Sequence, residues 1–270
     1  MSMMSSRRPD AACSICIASV LAAAVLGGCG GGGSSEPGVG SAASGDDGSG
    51  AMALATQGAP ILTCDNAGIG SVKLTSDLPT LPSTDPPNDS SATITSVSTG
   101  TTGNVPYCLV KVLVPPAINI WVGLPMDGNW NGRLQSEGGG GYAGSVNVPN
   151  NSIAAGYVGV QTDTGHTGGS GTFGMLTPVP NGAPDVQLQT DFAYRSEHEM
   201  AVIGKQLAQA FYGEPPKYSY WNGCSTGGRQ GMRMAQQFPG DYDGILAGAP
   251  AFHWDRFQAD QIWPQMVMRL

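Results

Sequence analysis

A serine set between two glycines carries the clearest chemistry in this chain. Gly223-Cys224-Ser225-Thr226-Gly227 follows an aromatic, strand-like run (Tyr218, Ser219, Tyr220, Trp221) and precedes a helix-like run that continues through Ala235. A serine at so sharp a strand-to-helix turn is pushed outward into left-handed backbone space, and small flanking residues let the chain bend there. Its hydroxyl then stands at the positive end of the following helix. The arrangement predicts a nucleophile elbow with Ser225 as the attacking group. The alternative is a loop serine in a chain that holds 41 glycines. The strand before and the apolar-periodic stretch after favour the nucleophile.

A serine nucleophile needs a base to take its proton, and the base needs an acid to orient it. In the strand-turn-helix context the order along the chain is serine, then Asp or Glu, then histidine. Of the three histidines, His166 and His198 precede the serine. His253 follows directly on Ala247-Gly248-Ala249-Pro250-Ala251, too early for the usual base and better read as a loop or hinge residue. His198, within Arg195-Ser196-Glu197-His198-Glu199, is expected to make structural hydrogen bonds on its helix. His166 lies in a Gly-rich loop at the C-terminal edge of a strand and is the candidate pocket residue. Acid and base are therefore expected beyond Leu270, because Met266-Val267-Met268-Arg269-Leu270 carries no terminating signal.

Gly138-Gly139-Gly140-Gly141 forms a second chemical element, directly after a strand-like run. A turn without side chains lets backbone amides approach a substrate carbonyl. With the amide of Thr226 it predicts an oxyanion hole, whose second donor is Gly139 or Gly140. A phosphate loop is excluded because no Gly-Lys-Ser/Thr follows. No His/Cys/Asp spacing suggests a metal centre, so no metal or cofactor is expected from this chain's residues.

These groups need a scaffold. Strand-like runs recur at Leu109–Val114, Ile118–Leu124, Arg133–Ser136, Tyr157–Thr162, Tyr218–Trp221 and Tyr242–Leu246. A helix is predicted over Asp191–Tyr212, from apolar residues at near-helical spacing, with Gly213 to end it. Strand, helix, strand, helix, strand between 157 and 246 calls for a parallel sheet with crossover helices, and an α/β-hydrolase sheet fits. Residues 75–103, rich in Ser, Thr, Pro and Asp, read as loops and short edge strands.

The N-terminus reads as an export signal. Arg7 and Arg8 precede an apolar stretch, Ala11 to Val25, too short to span a bilayer as a lone anchor. Leu26-Gly27-Gly28-Cys29 then matches a bacterial lipoprotein cleavage site with Cys29 as the lipidated residue; an ordinary cleaved signal is the alternative. Residues 1–28 are thus signal, and 29–58 a Gly/Ser-rich flexible tether. Residues 59–250 are the N-terminal part of a catalytic domain. The net charge of −8 excludes nucleic acid as the expected partner. Of six cysteines, Cys13 and Cys16 fall in the signal. Cys64 and Cys108, each bordering a strand, form the expected disulfide, and Cys224 is left over.

Trp221-Asn222-Gly223-Cys224-Ser225-Thr226-Gly227-Gly228-Arg229-Gln230-Gly231 and Ala247-Gly248-Ala249-Pro250-Ala251 resemble the tannase and feruloyl esterase family. That family also holds the hydrolase of mono(hydroxyethyl) terephthalate. The resemblance continues in Trp130-Asn131-Gly132-Arg133, in Gly138 through Gly144, and in Thr162-Asp163-Thr164-Gly165-His166. It implies an α/β-hydrolase fold, incomplete here, with the lid domain and last strands missing after about residue 255 and residues 251–270 as the start of that lid. It further implies hydrolysis of small aromatic-acid esters through an acyl-enzyme, and a calcium site in the lid. In such proteins the cysteine before the nucleophile is joined to one just before the catalytic histidine, a partner that Cys224 lacks in this chain. A second reading is a non-catalytic surface lipoprotein that retains the hydrolase core to bind a ligand or partner.

Overall fold

The computed structural model describes residues 58–81, 90–176 and 182–269. The signal, the tether up to residue 57 and Cys29 lie outside the described residues.

Eight strands form one sheet: β1 (Leu74–Thr75), β2 (Ser91–Thr102), β3 (Val105–Val114), β4 (Ile118–Pro125), β5 (Arg133–Glu137), β6 (Val158–Thr162), β7 (Tyr218–Cys224) and β8 (Gly244–Gly248). Their order across the sheet is β1-β2-β3-β4-β6-β5-β7-β8. β1 to β4 pair antiparallel in sequence, and β4 also runs antiparallel to β6. β6, β5, β7 and β8 are mutually parallel, as the strand-helix alternation predicts. The sheet as a whole is mixed, because the hairpin-linked N-terminal strands need no crossover.

Helices α1 (Asn150–Ala154), α2 (Val186–Thr190), α3 (Ser196–Tyr212), α4 (Thr226–Gln237) and α5 (Trp254–Val267) complete the described part. The main core joins Val110, Val112, Ile120, Val122, Leu134, Val158 and Val160 of the strands to Met200, Ile203, Leu207 and Phe211 of α3 and Met234 of α4. Tyr107 and Leu109, with Ile153 of α1, make a smaller cluster. Leu109 and Val110 fall in different clusters because successive strand residues face opposite sides of the sheet. Each fully buried aliphatic side chain contributes about 1.5–3 kcal/mol relative to exposure.

Three sequence expectations need correction. Residues 91–102 are not a short edge strand but the twelve-residue β2. A bulge between Ile94 and Ser96 shifts the register. Ile94 and Val97 consequently both pack on the main core despite their odd spacing, which hides the alternation from a period-two reading. The helix expected at Asp191 begins earlier, at Val186, where the Asp185 carboxylate accepts the Leu188 amide at 3.0 Å. Asp191 instead opens a π-turn, Asp191–Arg195, that leads into α3. The last strand is shifted to Gly244–Gly248, because Asp243 is held to Ser219 and Tyr242 turns into the core.

Candidate active site

β7 ends at Cys224 and α4 begins at Thr226, so Ser225 alone makes the turn, at φ 59° and ψ −118°. A non-glycine residue in this region costs about 1–3 kcal/mol and persists only where its surroundings impose it. Here they do. The Ser225 amide donates to the Gly248 carbonyl at 3.0 Å, and its carbonyl accepts from Ala251 N at 3.1 Å. The bend also requires Gly223 and Gly227 to touch. A Cβ on Gly223 would lie 2.6 Å from the Gly227 carbonyl carbon and oxygen. Ser225 is exposed, and its hydroxyl makes no hydrogen bond among the described residues.

The glycine loop after β5 packs directly on this elbow. A Cβ on Gly227 would stand 2.9 Å from the Gly139 carbonyl oxygen. The Thr226 hydroxyl donates to the Gly141 carbonyl at 2.5 Å, and the Gly138 amide donates to Asn222 O at 2.9 Å. The structure therefore brings Ser225, Thr226, Gly139 and Gly140 together. It also separates the two glycines. The Gly139 amide donates to Gln230 Oε1 at 3.0 Å and is not open to an oxyanion. The Gly140 amide has no acceptor among the described residues.

Among the described residues none of the three histidines hydrogen-bonds to Ser225. His198 bridges two carboxylates, with Nδ1 2.8 Å from Asp241 and Nε2 2.8 Å from Asp77, and its ring stacks on Phe238 at 4.1 Å. Its hydrogen bonds thus leave its own helix rather than stay on it. His253 caps α5 in left-handed backbone and is exposed. His166 is only 6% exposed and stacks on Phe173 at 3.8 Å. Burial holds its pKa below the ordinary histidine value, and its Nε2 has no hydrogen-bond partner among the described residues. Asp163, just before it, accepts the amides of Asn119 and Gly165 at 3.0 and 2.9 Å and fixes the turn at the end of β6.

Sequence reasoning missed the groups behind and beside the elbow. Gln230 and Glu197 are buried, and the Gln230 carboxamide donates to Glu197. The Arg229 guanidinium lies 5.3 Å from the Phe192 ring centre and 4.6 Å from that of Trp254. Gln230 falls one helical turn after Thr226, a spacing that could have placed it on the face towards the glycine loop. Nothing in Ser196-Glu197-His198-Glu199 marks Glu197 as a fully buried carboxyl. The expected Cys64–Cys108 disulfide is present, with Cα atoms 5.6 Å apart, and Cys224 is an exposed free thiol. Among the described residues no group of three His, Cys, Asp or Glu side chains could hold a metal ion.

The family model for tannase and feruloyl esterase matches residues 107–269. A probable feruloyl esterase from Arthroderma benhamiae is 44% identical over 154 residues, 56% of this chain and 28% of that protein. Feruloyl esterase B from Aspergillus niger is 42% identical over 138 residues, covering 50% of this chain and 25% of its own length. The crystal structure of feruloyl esterase B from Aspergillus oryzae superposes with a TM-score of 0.54 at 31% identity, over 60% of this chain and 35% of that one. The chain thus spans about a quarter to a third of the length of these relatives. Strand order, elbow and glycine loop agree with an α/β-hydrolase-like architecture, and the chain belongs to the tannase and feruloyl esterase family.

Proposed function

We propose that the protein is an exported serine carboxylic-ester hydrolase acting on small esters of aromatic acids, such as feruloyl or galloyl esters. The observation that carries this reading is Ser225 itself. It is held at φ 59° at the head of α4, and the unengaged Gly140 amide lies in the glycine loop packed against that turn. The aromatic-ester preference rests on the relatives, which are named feruloyl esterases.

In the proposed reaction Ser225 Oγ bonds to the ester carbonyl carbon as its proton passes to a general base. The carbonyl oxygen becomes an oxyanion that accepts from the amides of Thr226 and Gly140, where preorganised donors contribute most. Collapse expels the alcohol, which takes the proton from the base and leaves an acyl group on Ser225. Water, deprotonated by the same base, then releases the aromatic acid and restores the serine. Base and orienting acid lie beyond Leu270, in line with His198 being tied to Asp77 and Asp241 and with the greater length of the relatives. The lid, begun by residues 251–270, and any calcium site it holds belong to that same segment. Residues 1–28 act as signal, Cys29 carries a lipid that anchors the protein to the membrane, and residues 29–58 tether the hydrolase domain.

The test is hydrolysis of methyl ferulate by the product of the complete reading frame. Turnover is expected, and Ser225→Ala is expected to lose it while still binding the ester. A stably folded complete protein without esterase activity would point to the non-catalytic lipoprotein instead.

A further inference from the structure

The buried pair behind the glycine loop has no part in the covalent steps above. Glu197, on α3, is 0% exposed and Gln230, on α4, is 4% exposed. The Gln230 carboxamide nitrogen donates to Glu197 Oε1, and its oxygen accepts the Gly139 amide at 3.0 Å. One uninterrupted chain of hydrogen bonds therefore runs from α3 through α4 to the loop beside Ser225.

Other contacts also hold the loop, among them the 2.9 Å bond from the Gly138 amide to Asn222 O. Gly227 presses on the Gly139 carbonyl, the Ala143 amide donates to Gly140 O at 2.7 Å, and Thr226 donates to Gly141 O. None of them engages the amide face of Gly139. Without an acceptor for that amide, the peptide planes on either side of Gly139 could turn, since glycines impose little conformational preference. Turning them would redirect the Gly140 N–H.

We infer that Glu197 and Gln230 are positioning residues for the oxyanion donor: Glu197 fixes the Gln230 carboxamide, and Gln230 fixes the Gly139 peptide so that the Gly140 amide faces the reacting carbonyl. This inference rests on the esterase reading for its consequence in rate, but not for the geometry. Burial pushes the Glu197 carboxyl up to about 8, against its hydrogen bonds, that of Gln230 among them, and against the charge of Arg229; this favours the neutral acid in the core. A neutral acid can serve as acceptor for the carboxamide without burying an unpaired charge. The use of a carboxyl and a carboxamide, instead of apolar side chains, is accounted for by the amide they must hold.

Hydrogen exchange resolved at single amides in the complete protein tests the geometry. In the wild-type protein the Gly139 amide is expected to exchange at least about tenfold more slowly than the Gly140 amide, with no variant required. Equal exchange at the two positions would overturn the inference. In Gln230→Met, which keeps volume and removes the acceptor, Gly139 exchange should rise at least about fivefold while the melting transition remains cooperative. Steady-state kinetics tests the consequence. Gln230→Met and Glu197→Ala should lower kcat about tenfold to a hundredfold with KM little changed, and Glu197→Gln should recover most of the loss relative to Glu197→Ala. Glu197→Gln behaving like Glu197→Ala would refute the positioning role. A wild-type protein with protected Gly139 but no turnover would instead defeat the esterase reading and leave the loop geometry standing.

Discussion

Replacing Gly223 by alanine tests whether the elbow is held by backbone contact, and the size of the effect follows from the packing. The new Cβ would meet the Gly227 carbonyl carbon and oxygen at 2.6 Å and its Cα at 2.8 Å. These are backbone atoms in the first turn of α4, so no side-chain rotation relieves the clash. Moving Gly227 away would also stretch the 2.9 Å bond from Trp221 Nε1 to its carbonyl, deep in the core. Overpacking of this kind costs about 1–3 kcal/mol. Loss of the indole hydrogen bond adds about 1 kcal/mol, and the reduced entropy of an unfolded alanine returns a few tenths. At about 2–4 °C per kcal/mol for a domain of this size, the melting temperature should fall by about 5–15 °C. Gly240→Ala is the control, since a Cβ there meets nothing within 4 Å. Differential scanning calorimetry on the two variants should separate them clearly. If Gly223→Ala melted with Gly240→Ala, the elbow would not depend on this contact and the account of its strain would be wrong.

Other outcomes follow from the same geometry. Glu197 is raised from about 4.5 unfolded to about 8 folded, so it favours the fold below pH 4.5 and that contribution is lost as pH rises to about 8. The slope should approach about 1.4 kcal/mol per pH unit, and urea unfolding of Glu197→Gln should lack it. Burial disfavours protonation of His198, but its hydrogen bonds to the Asp241 and Asp77 carboxylates outweigh it and raise its pKa above 6.5. Its contribution is complete below 6.5 and fades as pH rises through the raised value, so the melting-temperature gap between wild type and His198→Asn should narrow on going alkaline. Thiol counting on the denatured, unreduced 270-residue chain should find Cys224 free and Cys64 and Cys108 unreactive; a bridge from Cys64 or Cys108 to Cys224 would refute that pairing. Fatty-acid labelling should disappear in Cys29→Ala, and label kept by that variant would exclude lipidation at Cys29.

Ser225 and its glycine loop were legible in the sequence because their requirements are local. A strand must stop, a helix must start, and only small residues fit between. The central strands were legible for a related reason: Leu109–Val114 and Ile118–Leu124 are apolar runs buried on both faces of the sheet. Where two distant segments cooperate, sequence spacing alone did not identify the partner. β2 was hidden by its bulge, and its Ser and Thr residues look like a loop until they pair with β3. Asp191 resembles a helix-starting residue, but its 2.9 Å pairing with buried Arg195 makes it part of the core. The distinction between Gly139 and Gly140 depends on Gln230, which lies 91 residues further along the chain. The role of His198 likewise depends on Asp77 and Asp241, each more than forty residues away.

The central claim, that Ser225 is the nucleophile, is tested most directly by trapping it. The complete protein would be treated with an aryl phosphonate ester, which phosphonylates an activated serine and releases the phenol. Intact mass and peptide mapping would then locate the adduct. The account predicts one adduct per chain, on Ser225, formed in proportion to the loss of esterase turnover and absent from Ser225→Ala. An adduct on another residue accompanying the loss of activity, or full turnover in Ser225→Ala, would contradict it.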